Sequence, residues 1–155
     1  MSMKRRTFLK GTVATGALGF ALGAGLLKPT AVLAAYPEDA FKAEKIDDAL
    51  NALFGSSSAK DGDIKIKAPD IAENGAVVPV TVSTKIQNVE SISLLVEKNP
   101  QPLGASYNLV GNIDGFVATR IKMRETSDVI AVVKAGGDIF SAKKTVKVTI
   151  GGCGG

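Results

Sequence analysis

The 155-residue chain has no histidine and one cysteine, Cys153. Without an imidazole, no Cys–His nucleophile–base pair can form within it. One thiol and no imidazole offer no evident metal or haem site, so neither a metal nor a cofactor is expected. A long apolar run is also missing. The most apolar segment, residues 11–27, is short and diluted by Gly11, Gly16, Gly19, Gly23 and Gly25, so it does not read as a membrane span.

An excess of positive charge is missing too, once its location is considered. The whole chain carries 19 Lys and Arg against 15 Asp and Glu, a net of +4. Residues 1–35 hold five of those cations (Lys4, Arg5, Arg6, Lys10 and Lys28) and no acid. Residues 36–155 therefore hold 14 bases and 15 acids, a net of −1. The pI of about 9.2 is a property of the first segment, and nothing predicts a nucleic-acid partner, which would want a basic face.

Residues 1–35 read as an export signal: a basic start, an apolar middle and small residues at Ala31, Ala34 and Ala35 that suit a signal peptidase. The paired Arg5-Arg6 followed by Thr7-Phe8-Leu9-Lys10 resembles a Tat signal, with Lys4 where serine or threonine is more usual. Cleavage is expected after Ala34 or Ala35. The Tat route carries folded proteins. A chain with no evident cofactor site is then expected to travel as a passenger in a preformed complex. The remaining 120 residues suit one domain, 36–150, followed by a short tail, 151–155.

Pro37-Glu38-Asp39 predicts a helix start, with acids at the positive end of the dipole. Phe41, Ile46, Ala49, Leu50, Leu53 and Phe54 follow at close to a 3.6 period, and Gly55 ends the helix. This stripe packs on the domain's own core or docks a partner. Period-two patterns then predict six or seven strands. They fall at Ile64 and Ile66, Val78 to Val82, Ile92 to Val96, Val117 to Met123, Val129 to Val133, Ile139-Phe140, and Val146 to Ile150. Turn signals separate them at Asp61-Gly62, Glu73-Asn74-Gly75, Asn99-Pro100-Gln101-Pro102, Asp114-Gly115 and Gly136-Gly137-Asp138. The expected fold is mainly β: an antiparallel β-sandwich with an N-terminal helix. Pro79 inside a strand pattern implies an edge or a bulge.

The chain ends Gly151-Gly152-Cys153-Gly154-Gly155. Four glycines leave the sulfur no apolar company, against the usual burial of a free cysteine. An inert linker would account for the glycines and not for the thiol. Glycine frees the backbone, so the expectation is a thin, flexible arm. Three residues from Ile150 to Cys153 give it a reach of about 10 Å. The thiolate is the nucleophile, and the nearby terminal carboxylate disfavours it. Activation is therefore expected from a partner's site, as for a handle delivered to several enzymes. Two such arms are also expected to meet as a disulfide-linked dimer through Cys153.

That pentapeptide, with Glu97-Lys98-Asn99-Pro100-Gln101-Pro102-Leu103 and Arg120-Ile121-Lys122-Met123-Arg124-Glu125-Thr126-Ser127-Asp128-Val129, resembles the SoxY family, the sulfur-carrier subunits of the thiosulfate-oxidising Sox system. The similarity covers essentially everything after the signal. It implies an immunoglobulin-like sandwich, a tight heterodimer with SoxZ, a periplasmic location and sulfur held covalently on Cys153. It further implies transient visits to SoxAX, a haem enzyme that conjugates thiosulfate, to SoxB, a hydrolase that releases sulfate, and in some organisms to SoxCD, a sulfane dehydrogenase. A thiol-dependent sulfurtransferase-like enzyme and a purely structural secreted domain are the competing readings. Arg120, Lys122 and Arg124 read as a solvated strand face, with attraction of anionic adducts as the alternative. Residues 99–102 read equally as a recognition loop or a rigid turn.

Overall fold

A computed structural model describes residues 36–111 and 114–150. The export signal expected in residues 1–35 and the cysteine arm of residues 151–155 lie outside the described residues. Among the described residues, two helices, α1 (Glu38–Lys42) and α2 (Ile46–Phe54), precede nine strands: β1 (Lys60–Asp61), β2 (Ile64–Lys67), β3 (Ile71–Ala72), β4 (Val78–Thr84), β5 (Val89–Val96), β6 (Leu103–Asn108), β7 (Gly115–Ile121), β8 (Ser127–Ala135) and β9 (Asp138–Val148).

The strands form two sheets. The large sheet has the order β1-β9-β8-β5-β6, with β3 also pairing β9, and the small one the order β2-β4-β7. Between them lies a core that includes Val78, Val80 and Val82 of β4, Ile92, Leu94 and Val96 of β5, and Val129, Ala131 and Val133 of β8. This is the expected β-sandwich, with period two placing every second side chain inward. The pairing is antiparallel except where the two-residue strands β1 and β3 run parallel to β9.

The large sheet is covered on its second face as well. Leu95, Val132 and Leu103 turn away from the sandwich core and pack under Ala40, Ala49 and Leu50 of the helices. Burial on both faces explains the unbroken apolar run from Val129 to Val133, in which Ile130 alone is less than fully buried. The helical stripe therefore serves the chain's own packing.

Three expectations change in detail. The single helix is two, broken at Ala43, whose N–H donates to the Asp39 carbonyl. Ala40 and Ala49 are both fully buried. In one straight helix, nine residues at about 100° each would place them on opposite faces. The break lets both reach the sheet. The strands expected at Ile139-Phe140 and Val146 to Ile150 are one strand, β9, laddered on β8 from Asp138 to Val146 and ending at Val148. Met123 lies beyond the end of β7, though fully buried.

The two-residue turn between β8 and β9 is Gly136-Gly137, with φ of 58° and 85°. Both values lie where glycine is at no disadvantage, the requirement of the hairpin turns that match strand twist. Pro79 sits in the middle strand of the small sheet, but β2 runs only opposite Thr81 to Thr84. At Pro79, β4 has one neighbour, Arg120 of β7, and is locally an edge.

Candidate functional site

The chain leaves the sandwich for Cys153 at Ile150, and the backbone there is held from several directions. The Gly75 N–H donates to the Ile150 carbonyl at 2.8 Å, and the Thr149 N–H donates to the Ala72 carbonyl at 3.1 Å. Thr149 Oγ1 donates to the Glu73 carbonyl at 2.9 Å. On the other side the Val148 N–H donates to Thr126 Oγ1 at 2.9 Å. Two residues back, Val146 is fully buried. By sequence, Glu73-Asn74-Gly75 is a turn and no more. Asn74 does build one, its Oδ1 accepting the Ala76 N–H at 2.8 Å, but the turn's amide also fastens the chain end. That role depends on contacts between distant segments, which no local pattern reports.

The topology collects specific loops at this end. β4 begins at Val78, β5 ends at Val96, β6 begins at Leu103, β7 ends at Ile121, and β8 begins at Ser127, all beside the end of β9. Segments 73–77, 97–102 and 122–126 therefore surround the root of the arm. The last two are the stretches that carry the family resemblance. They are stitched together by Asn99, whose Nδ2 donates to the Lys122 carbonyl at 2.8 Å and whose Oδ1 accepts the Arg124 N–H at 2.9 Å. Met123 N–H in turn donates to the Gly75 carbonyl at 2.7 Å. One hydrogen-bonded chain thus runs from Asn99 through the 122–126 segment and Gly75 to Ile150. Of the two readings of 99–102, the rigid turn is the one these bonds describe.

The charges of these loops balance: Glu73, Glu97 and Glu125 against Lys98, Lys122 and Arg124. Arg120, Lys122 and Arg124 are all exposed, as a strand's solvent face and its continuation should be. Cys153, Gly151, Gly152, Gly154 and Gly155 lie outside the described residues. Among the described residues no three His, Cys, Asp or Glu side chains come together in a way that could hold a metal ion. None of the described helices is long and apolar enough to cross a membrane. A cleft of about 380 Å³ lies beside α2, lined by Asp47 and Leu50 of that helix and by Asp61, Ile130, Val132 and Lys143. It sits up β9 from the root and brings no group toward it.

The fold and its tail define a helix-covered β-sandwich whose backbone is clamped at Ile150, just past the last strand and three residues short of a glycine-flanked thiol. Comparison with known proteins gives that class a family. The profile of sulfur oxidation protein SoxY matches residues 50–153, a span that ends on the cysteine. The chain belongs to the SoxY family. It is similar to the sulfur carrier protein SoxY from Chlorobium limicola f thiosulfatophilum, at 44% identity and a TM-score of 0.62 over 72% of this chain and 97% of that one. A variant of the superoxide reductase (neelaredoxin) from Ignicoccus hospitalis is 17% identical, with a TM-score of 0.50 over 79% of this chain and 99% of that one, and shares the fold alone. No curated protein sequence matches the chain.

Proposed function

We propose that this chain is a periplasmic carrier that holds sulfur intermediates of thiosulfate oxidation on Cys153 and presents them to partner enzymes. The observation that carries the reading is the hold on Ile150, three residues before the thiol in sequence. Ile150 is fixed by the Gly75 amide, and only glycines separate it from Cys153. The sandwich then serves as a handle, and the three residues from Ile150 to Cys153 can span up to about 10 Å. Glycine keeps that chain narrow enough to enter a channel that would exclude side chains.

The chain supplies a nucleophile and no base, so each step draws its catalytic groups from the visiting enzyme. In the first, the Cys153 sulfur joins the sulfane sulfur of thiosulfate. An S–S bond forms, the thiol proton leaves, and two electrons pass to the haem enzyme SoxAX. In the second, SoxB directs water onto the terminal sulfonate. The S–SO₃ bond breaks, sulfate and protons depart, and a persulfide remains on Cys153. SoxCD, where present, oxidises that sulfur further. SoxZ is the proposed stable partner, exported with this chain by the Tat signal of residues 1–35.

The test is a reconstituted thiosulfate-oxidation assay with Cys153→Ser. Flux is expected to fall to background while the variant keeps its stability. The purified chain alone is expected to turn over no thiosulfate. Full flux with the serine variant overturns the carrier reading, and turnover by the isolated chain favours a thiol enzyme instead.

A further inference from the structure

The outer face of the small sheet is an unusual surface for a chain whose domain and tail are close to neutral. Strands β2, β4 and β7 contain no Asp or Glu. Their outward side chains line up in register: Lys65, Ser83 and Phe116 in one row, Lys67, Thr81 and Ala118 in the next, then Pro79 beside Arg120. One step further toward the arm, beyond the ladder, come Val77 and Lys122. Lys65, Lys67, Arg120 and Lys122 are exposed, and no acid of the described residues pairs with them. The large sheet behaves differently: Lys60 pairs with Asp138, Lys134 with Glu90, Lys143 with Asp128 and Lys144 with Asp70.

Apolar groups accompany these cations. Phe116 is 56% exposed, Val77 55% and Ile150 68%. The Gly75–Ile150 hydrogen bond brings the Val77 segment against the arm's root, so the basic face and the root form one continuous surface. No acid lies within the ladder itself: Asp63 and Asp114 lie beyond its far end, where β2 and β7 begin, and Glu73 and Glu125 in the loops beyond its near end.

We infer that this face is the docking surface for the enzymes that act on the loaded arm, and that those enzymes present an acidic rim around the entrance to their active sites. The inference rests on the carrier reading. Unpaired cations with no interspersed acid select a negative surface and speed encounter with it. An exposed aromatic beside them supplies an apolar anchor of the kind that dominates binding energy. The position of the face sets the direction of approach, so that a partner seated there meets the arm at its root.

The test uses the full mature chain in a Cys153→Ser background, which prevents disulfide capture. Its affinity for the thiosulfate-conjugating haem enzyme and for the sulfate-releasing hydrolase is measured at low salt and again at several-fold higher NaCl. The original face is expected to bind more weakly at high salt. The triple variant K65E/K67E/R120E is expected to lose roughly tenfold or more in affinity at low salt, and most of its salt dependence. The same triple change with Cys153 intact should leave reactivity toward a small disulfide reagent unchanged, which reports on the thiol alone. Unchanged affinity of the triple variant for both enzymes overturns the docking proposal. So does failure of the variant to assemble with its stable partner subunit while enzyme binding persists, which would make the face a subunit interface. Neither result touches the carrier reading, which falls only if Cys153→Ser leaves flux intact.

Discussion

The backbone amide of Arg124 donates to Oδ1 of Asn99 at 2.9 Å across 25 residues of sequence, while the same carboxamide donates to the carbonyl of Lys122. One side chain thus fixes two loops that converge on the root of the arm. Replacing Asn99 by alanine removes both bonds at once. Unfolding in urea should show a loss of roughly 1–3 kcal/mol, the usual cost of leaving such backbone groups without a partner. Asn99→Asp keeps the acceptor for Arg124 and loses the donor to Lys122, so it should fall between. Equal stability of Asn99→Ala and the original chain would mean that the loops are held by their neighbours instead.

Leu94 and Leu95 are both fully buried on adjacent positions of β5, yet they enter different cores. Leu94 points between the sheets and Leu95 points under the helices. Leu94→Ala should cost about 2–5 kcal/mol as a cavity-forming change. The helices form a true layer only if Leu95→Ala costs a comparable amount. A cost below about 1 kcal/mol at Leu95, in the range of an exposed site, would show the helices to be loosely attached.

Two carboxylates tie β8 to its neighbours and set an acid limit. Asp128 accepts a hydrogen bond from Thr145 Oγ1 and faces Lys143 of β9. Those contacts, the Thr145 bond first, hold its carboxyl below the ordinary range. Glu90 of β5 is lowered by Lys134 of β8 and then by the Gly137 amide. Both are more acidic folded than unfolded. Their contribution is therefore complete above the unfolded carboxylate range, near about pH 4, and is lost as pH falls through the folded values. The urea midpoint should be flat from about pH 8 to about 5 and decline below about 4. Asp128→Asn should flatten part of that decline, and salt should shrink the Glu90 share because that group is solvent-exposed. A midpoint that rises on acidification would contradict the assignment.

The sandwich is legible in the sequence because its core strands obey period two. Val78, Val80 and Val82 in β4 show one buried face, and the run Val129 to Val133 in β8 shows two. β6 is not legible. Its register on β5 shifts between Leu94 and Leu95, so Leu103 falls under the helices and Ala105 between the sheets, with Gly104 as the extra residue. A bulge of this kind destroys the alternation on which a strand is recognised. β9 reads as two strands because Ser141, Lys143, Lys144 and Thr145 interrupt its apolar pattern, in a strand whose central residues are half exposed. As for the site, the terminal thiol is plain from composition. The clamp on its root is not, because Gly75, Thr126 and Ile150 meet only through the fold.

The proposed role of Cys153 as the sulfur carrier has a direct measure. It is tested most directly by the intact mass of the protein purified from cells oxidising thiosulfate, taken before and after reductant and followed by mapping of the C-terminal peptide. Added mass, from sulfur or a thiosulfonate, is expected on the peptide that contains Cys153 alone and is removed by reduction. An unmodified mass under those conditions, with the partner enzymes active, would contradict that role.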